Sequence, residues 1–324
     1  MPNTLLELTK QKLSSEIVNA VKNFDDARLE AILLNDSALE KGLDLKKISM
    51  NSSNFLDTIN IDGTPIIHFI AQHLSDNNFV ESINILRILA AQGANMNLPY
   101  PGSPLQCLIW NFNKSLTKEL KLEFANELIN LGANVNFQNP NNGYTPLHHS
   151  VNTNQAELFN LLVQRGADTE QKNQAGYRPI QSLFLSQSKE LVSSLIANCS
   201  LEDLFTKNYS GGFGPKFVNS QIFKKLIENA SEEDFPVLMK KIPNLQELLL
   251  EGMQYWEKNI CGNAIFNVKA KFILKEFANQ EGSDNQQIEP ENSVHDASND
   301  YIVSNDKDYM EITPAGVLPE GNAE

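Results

Sequence analysis

One block of sequence recurs along the middle of the chain at intervals of 33 to 39 residues. It is a short apolar helix pattern followed by a Gly-Ala pair, and it occurs as LAAQGANMNL at 89–98, LINLGANVNF at 128–137 and LLVQRGADTE at 161–170. A repeat unit of this length cannot bury its apolar face alone, so successive units stack and share one continuous core. The spacing therefore predicts a solenoid of stacked units.

A second landmark marks the start of each unit. It occurs as DGTPIIHFIA at 62–71, PGSPLQCLIW at 101–110, GYTPLHHSV at 143–151 and GYRPIQSLF at 176–184. Thr145 can cap a helix through its hydroxyl, and Pro146 suits a first helical turn, where its missing N–H would have no partner. A second helix ends at Gly166, because glycine readily adopts the left-handed conformation that closes a helix. Each unit is therefore predicted to be a pair of helices.

The sequences TPLH at 145–148 and GANVN at 132–136 resemble the signatures of the ankyrin repeat. The resemblance covers about residues 60–200. It implies an all-α fold, a solenoid of antiparallel helix pairs with β-hairpin-like fingers and a concave face that binds other proteins. It also implies that His148 hydrogen-bonds within its turn and joins neighbouring repeats, with His68 at the equivalent place.

The chain divides into four segments by composition and periodicity. We expect an N-terminal helical segment with a degenerate first repeat, the ankyrin repeats, a helical region that caps the last repeat, and a disordered acidic tail, at 1–58, 59–200, 201–280 and 281–324 respectively. Ser231 and Pro243 are the predicted helix starts of the capping region. The tail is predicted to be disordered because it has too few apolar residues to offset the entropy of ordering.

Charge and composition exclude several classes of function. The tail holds eleven acidic residues and Lys307, so it carries −10 of the formal net charge of −14. The near-neutral remainder lacks the basic clusters that bind nucleic acid. No apolar run is long enough to insert into a membrane, and the N-terminus lacks the pattern of a secretory signal. The 39 asparagines are scattered, from which we expect no structural role.

Possible catalytic groups are few. Adjacent helical side chains point about 100 degrees apart, so His148 and His149 do not form a metal site, and His149 is expected to be exposed. Cys107 would need His68 or His149 as a partner base, and the alternative of a buried structural cysteine is favoured. The three cysteines, Cys107, Cys199 and Cys261, form no disulfide framework, which indicates a reducing cytoplasm. We expect no cofactor and no metal.

Aromatic and amide side chains near the fingers are the candidate protein-binding residues. Trp110 adjoins an insertion, and large aromatic side chains are frequent interaction hot spots. The other candidates lie at finger positions and are Tyr100, Phe137, Tyr144, Tyr177 and Asn142. The alternative for these residues is ordinary packing within turns. The first two units carry extra residues, SDNNFVES at 75–82 and NFNKSLTKE at 111–119, between their helices, and adjacent insertions often mark a binding side.

The whole layout resembles ankyrin-repeat effectors that intracellular bacteria deliver into host cells, which carry a C-terminal secretion signal in such a tail. We therefore predict a monomeric, non-enzymatic adaptor that binds a partner protein, including a host protein after delivery into the host cytoplasm. Tyr301 and Tyr309 follow acidic residues in the tail and are candidate phosphorylation sites. The rival hypothesis is an enzyme whose catalytic part is the helical region 201–280, with Cys261 as its cysteine.

Overall fold

The computed structural model describes residues 2–34, 54–110, 116–185, 188–201, 215–250, 253 and 264–284. Helices dominate these segments, as the repeat pattern predicts. In chain order they are α1 (Pro2–Lys22), α2 (Asp26–Leu34), α3 (Ile66–His73), α4 (Phe79–Ala91), α5 (Pro104–Trp110), α6 (Lys118–Asn130), α7 (Pro146–Asn152), α8 (Ala156–Gln164), α9 (Lys189–Asn198), α10 (Pro215–Asn229), α11 (Phe235–Lys241) and α12 (Ala264–Asp284). No helix of the described residues is long and apolar enough to cross a membrane.

The helices of the repeats stack in two layers. The first-helix layer contains α3, α5, α7 and a 3-10 helix at Pro179–Leu185, and each of these contacts the next. The second-helix layer contains α2, α4, α6, α8 and α9 in the same order. This arrangement confirms the predicted solenoid of helix pairs. Helix α1 pairs with α2 and contacts α3, which is the packing expected of a degenerate first repeat.

The fingers between repeats are hairpin-like. The first contains two short antiparallel strands, β1 (Asn60–Ile61) and β2 (Thr64–Pro65), in which Asn60 pairs with Pro65. Gly63 lies in the turn between them with φ +85°, a conformation that glycine adopts without steric cost. In a later finger the Asn139 N–H donates to the Tyr144 carbonyl at 2.9 Å, which closes a turn without strands.

Asparagines connect successive fingers, so the expectation that they have no structural role is wrong for these positions. The Asn97 side chain donates to the Gly132 carbonyl at 2.9 Å and accepts from the Asn134 N–H at 2.6 Å. Asn136 repeats both contacts one unit later, with the Gly166 carbonyl at 3.1 Å and the Asp168 N–H at 2.8 Å. An amide side chain offers both a donor and an acceptor, so it can satisfy two backbone groups of the next turn.

The histidine of the TPLH segment joins two repeats, as the resemblance implies. The Thr145 hydroxyl accepts from the His148 N–H at 3.4 Å, and His148 Nδ1 accepts from the Thr145 N–H at 3.2 Å. His148 Nε2 lies 2.9 Å from the Tyr177 carbonyl of the next unit, to which it donates. One side chain thus caps its own helix and holds the following finger.

The same contact recurs in the preceding units. Gln106 Oε1 accepts from the Ser103 N–H at 2.9 Å, while Nε2 donates to the Tyr144 carbonyl at 2.6 Å. His68 Nε2 is 2.9 Å from the Gly102 carbonyl. We call these three side-chain contacts, from His68, Gln106 and His148, the carbonyl ladder. All three donors are buried, so each hydrogen bond is shielded from competing water.

The first helix of the fourth unit differs from the α-helix that the repeat pattern predicts. It spans Pro179–Leu185 and is a 3-10 helix, and the Gln181 N–H bonds to the Arg178 carbonyl three residues earlier at 2.9 Å. Arg178 stands where Thr145 stands in the preceding unit, and it has no hydroxyl to cap a helix start. Its guanidinium instead pairs with Glu170. The first helix of this unit is tighter than its counterparts in the preceding units.

The helical region after the repeats packs against the last described repeat, as expected of a cap. Helix α9 contacts both α10 and α11. Lys241 Nζ donates to three carbonyls at the end of α9, those of Ile196 at 2.7 Å, Ala197 at 2.8 Å and Cys199 at 3.0 Å. These bonds satisfy carbonyls that a helix end leaves unpaired. Ser231 caps a 3-10 turn before α11, which confirms that start, and residues 245–250 are helical after Pro243.

The C-terminal boundary differs from the expectation. Met1–Ala278 forms one compact unit, and Asn279–Glu324 is grouped separately. Helix α12 continues to Asp284, so residues 281–284 of the predicted disordered tail are helical. No proline interrupts the helical pattern before Pro290. The rest of the predicted tail, with Tyr301 and Tyr309, lies outside the described residues, and the division into four segments stays a prediction.

The two insertions lengthen the second-helix layer. Helices α4 and α6 each have 13 residues, whereas α8 has 9, so part of each insertion forms an extra helical turn. The Thr117 N–H donates to Asp76 Oδ1 at 3.0 Å, which joins the two inserted segments. Residues 111–115 of the second insertion lie outside the described residues.

The hydrogen bonds of the carbonyl ladder predict how two substitutions of His148 change the stability of the protein. We expect His148→Ala to lower the free energy of unfolding by about 2 kcal/mol, because it removes a buried side chain with its hydrogen bonds to the Thr145 N–H and the Tyr177 carbonyl. His148→Gln should cost less than about 1 kcal/mol, since Gln106 makes the same two bonds in the preceding unit. Urea unfolding followed by circular dichroism measures both values. Equal losses in the two variants would contradict the ladder's role.

Candidate binding site

A pocket lies between the first-helix layer and the finger that precedes α5. Its volume is about 270 Å³. Its lining residues come from α3, α5, α7 and two fingers, and they are Gln72, Pro101, Gly102, Gln106, Cys107, Trp110, Asn139 and His149. The pocket therefore depends on three successive units, and no single unit contains it.

Trp110 forms one wall of this pocket at the end of α5. Its side chain is 55% exposed, which is unusual for so large an apolar group. Its ring centroid lies 5.0 Å from that of His149 on the next helix of the layer. Tyr100 is 40% exposed and contacts His68 with the rings edge to face at 5.8 Å. Two exposed aromatic side chains thus flank the finger residues Pro101 and Gly102.

His149 is buried, with only 2% of its surface exposed, so the expectation that it faces outward is wrong. Its ring lies between two aromatic neighbours, Trp110 at 5.0 Å and Tyr144 at 5.5 Å between centroids. Trp110 belongs to the preceding unit, so the cover over His149 comes from residues distant in sequence. The apolar periodicity of α7 by itself therefore does not predict that His149 is buried.

Burial makes the His149 imidazole neutral. Loss of hydration lowers its pKa to about 4, and the neighbouring His148 adds a smaller decrease. Among the described residues, none forms a hydrogen bond with the imidazole nitrogens, and His149 lines the pocket. A buried polar group without a protein partner is uncommon and is generally satisfied by water or a ligand. The pocket therefore presents one donor and one acceptor to whatever enters it.

Cys107 and His149 line the same pocket, which brings together the pair considered for nucleophilic catalysis. Burial raises the pKa of the Cys107 thiol to about 11, and the thiol donates to the Tyr100 carbonyl at 3.5 Å. A thiol and a neutral imidazole that are both shifted away from their charged forms do not make an activated thiolate. Burial also raises the pKa of Cys199, to about 12. Cys261 lies outside the described residues.

The other candidate residues lie on the fingers. Phe137, Tyr144 and Tyr177 are half-buried, and Tyr144 stacks on His148 at 5.2 Å between ring centroids. Asn142 Oδ1 accepts from the Tyr144 N–H at 2.9 Å. The structure thus brings Trp110, His149 and Tyr144 into contact, whereas Phe137, Tyr177 and Asn142 do not line the pocket. Their role in binding stays a prediction.

The charges of the lining side chains limit the class of ligand that the pocket can bind. None of its eight residues carries a charge near neutral pH, because His149 is neutral and the Cys107 thiol is protonated. Within the described residues, no cluster of histidine, cysteine or acidic side chains has a geometry that could hold a metal ion. An uncharged, partly aromatic pocket of this kind suits an uncharged group.

Comparison with known proteins identifies the repeats. The family model for ankyrin repeats (3 copies) matches residues 116–204. A Borreliella burgdorferi protein named for ankyrin repeats is 26% identical over 182 residues, which are 54% of this chain and 76% of the relative. A fowlpox virus protein, also named for ankyrin repeats, is 29% identical over 126 residues, or 38% of this chain and 20% of the relative.

A further relative is a longer protein than this chain. The 2-5A-dependent ribonuclease of Homo sapiens is 33% identical over 70 residues, which are 22% of this chain and 9% of the ribonuclease. The match therefore spans a small part of that enzyme.

The buried imidazole makes stability depend on pH. The unfolded chain binds a proton at the ordinary histidine pKa of 6.5, whereas folded His149 does so only at about 4. Between these values the unfolded state binds more protons, so stability falls as the pH drops. We expect the wild type to lose about 2 kcal/mol more than His149→Phe between pH 7 and pH 5.

Urea titrations at both pH values measure this difference. His73→Gln, which changes an exposed histidine of α3, is the control and should follow the wild type. The same pH dependence in His149→Phe and wild type would show that His149 is not responsible.

Proposed function

Because this chain is built on ankyrin repeats, we propose that it is a monomeric adaptor that binds a partner protein through the surface around Trp110. The observation that carries the proposal is the exposed indole beside an uncharged pocket. Ankyrin repeats are modules of protein–protein interaction, and this surface lies within the stacked repeats. We call the surface formed by Tyr100, Pro101, Trp110 and His149 the Trp110 surface.

The energetics of association support this choice of surface. An exposed tryptophan keeps a large apolar area in contact with water, and covering it with a partner releases that water. Tryptophan and tyrosine lose little side-chain entropy on binding and are enriched among interaction hot spots. Trp110 and Tyr100 are both partly ordered by ring contacts within the protein, with His149 and His68 respectively. The surface is therefore preorganised for binding.

The position of the second insertion gives additional support. Trp110 is the last residue of α5, and the insertion follows it directly. The Ile109 carbonyl accepts from Lys121 Nζ at 3.0 Å and from Gln155 Nε2 at 2.8 Å. These bonds fix the end of α5 against α6 and the start of α8. They hold the backbone beneath Trp110 while leaving the indole exposed.

A capture experiment tests the proposal. Full-length protein and the double variant Trp110→Ala, Tyr100→Ser are used to capture proteins from cell lysate, and bound proteins are identified and then purified. We expect the dissociation constant of the true partner to rise at least about 30-fold in the variant, because removal of hot-spot side chains costs about 2 kcal/mol or more.

The control is Val80→Ala, which shortens an apolar side chain of α4 that is 64% exposed. It should capture the partner as the wild type does. If the double variant keeps its fold and retains every partner with unchanged affinity, the Trp110 surface is not the binding site.

We further propose that the chain is an effector whose partner is a host protein. The support is its layout, in which ankyrin repeats and a helical cap precede a tail that holds most of the net negative charge. Proteins named for ankyrin repeats in a bacterium and in a poxvirus are among the relatives. In this proposal the tail supplies the export signal, and Tyr301 and Tyr309 are phosphorylated in the host.

Removal of the tail tests export. The truncation should follow Asp284, because α12 ends there, so that the compact unit Met1–Ala278 stays intact. With a reporter enzyme fused at the N-terminus, we expect delivery into the host cell to fall to background in the truncated chain. Binding to the purified partner should be unchanged. The control replaces residues 285–324 by a Gly-Ser segment of equal length, and delivery of either altered chain at the wild-type level would contradict the proposal.

A further inference from the structure

We propose that the pocket beneath Trp110 receives a single unphosphorylated tyrosine side chain of the partner protein, with its phenol hydrogen-bonded to His149. This inference deepens the proposed function, since it rests on the Trp110 surface being the site of partner binding. It adds the chemical identity of the group that is recognised.

The first argument is the unpaired imidazole. His149 is only 2% exposed, yet its nitrogens have no hydrogen-bond partner among the described residues, and the residue lines the pocket. The neutral ring offers one N–H donor and one acceptor nitrogen. A ligand that displaced water from the pocket without replacing its hydrogen bond would leave this buried group unsatisfied and would bind weakly.

The second argument is the charge of the lining. A lysine or arginine of the partner would lose its hydration without gaining a carboxylate, and none of the eight lining residues is acidic. An acidic or phosphorylated side chain would likewise find no cation among the described lining residues, because none of the eight is lysine or arginine and His149 is neutral. The site therefore selects an uncharged side chain.

The third argument concerns the shape and polarity of the occupant. Leucine and phenylalanine are uncharged but cannot bond to His149. Tryptophan can donate a hydrogen bond but cannot accept one, whereas a phenol does both and therefore matches either tautomer of the imidazole. Trp110 lines the pocket and is partly exposed, so its indole can contact an aromatic ring that enters the pocket. A tyrosine ring fits within the volume of about 270 Å³.

Solution NMR tests this assignment with a small probe. The full-length protein is labelled with ¹⁵N, and the indole N–H signal of Trp110 is assigned by its loss in Trp110→Phe. We expect N-acetyltyrosinamide to shift this signal saturably, with a dissociation constant on the order of 1 mM for so small a ligand. N-acetylphenylalaninamide should bind about 5-fold more weakly, and the phosphotyrosine analogue at least about 10-fold more weakly.

Two variants separate the roles of the pocket residues. Trp110→Ala, followed through the His149 ring signals, should lose binding of both uncharged probes. His149→Phe should bring the affinities for the tyrosine and phenylalanine probes within 2-fold of each other, which a purely structural role of His149 would not do. If His149→Phe fails to fold, the comparison of the three probes on the wild-type protein decides the question.

Three outcomes overturn the proposal. They are no saturable shift of the Trp110 signal, equal affinity for the tyrosine and phenylalanine probes on the wild type, and tighter binding of the phosphotyrosine analogue. Partner capture distinguishes this failure from failure of the proposed function. Loss of the partner in the Trp110→Ala, Tyr100→Ser variant together with a negative probe result would retain the adaptor surface and reject the tyrosine pocket. The reverse pattern would retain the pocket and reject the surface as the partner's site.

Discussion

The hydrogen bond from the first helix of each unit to a carbonyl of the next unit sets the register of the whole repeat array. His68, Gln106 and His148 each donate such a bond, to Gly102, Tyr144 and Tyr177 respectively. Gln106 and His148 also accept from the N–H of their own helix cap. Because the donor side chains are buried, a shift of one unit along its neighbour would leave these donors without their acceptors.

The candidate binding site follows from that register. The ladder bond of Gln106 ties α5 to the finger before α7, so Trp110 at the end of α5 lies over His149 in α7. The adjacent ladder residue, His148, bonds to the next unit, whereas His149 has no hydrogen-bond partner in the part of the chain that the structure describes. Two neighbouring histidines therefore have opposite roles. His148 maintains the stack, and His149 is the residue to which we assign the contact with the partner.

Most of the net negative charge lies in a different part of the sequence from the residues that line the pocket. It belongs to the segment 281–324, and the pocket lining is uncharged. A neutral pocket depends on shape, apolar contact and one hydrogen bond, all of which are weakly affected by ionic strength. In the proposed function, recognition at the Trp110 surface would therefore depend little on salt, unlike an interaction of the acidic tail.

The sequence by itself determined the repeat architecture, because the caps, the glycine helix ends and the 33 to 39 residue period are local chemistry repeated along the chain. The role of His148 was implied by the resemblance of TPLH at 145–148 to the ankyrin repeat, and the comparison of unit lengths placed Trp110 beside an insertion. The sequence did not predict the 3-10 helix at Pro179–Leu185, the bonds of Asn97 and Asn136, or the burial of His149. Only the tertiary structure decided that burial, because the indole that covers His149 lies 39 residues away in the preceding unit. The pocket exists only where stacking brings the two units together.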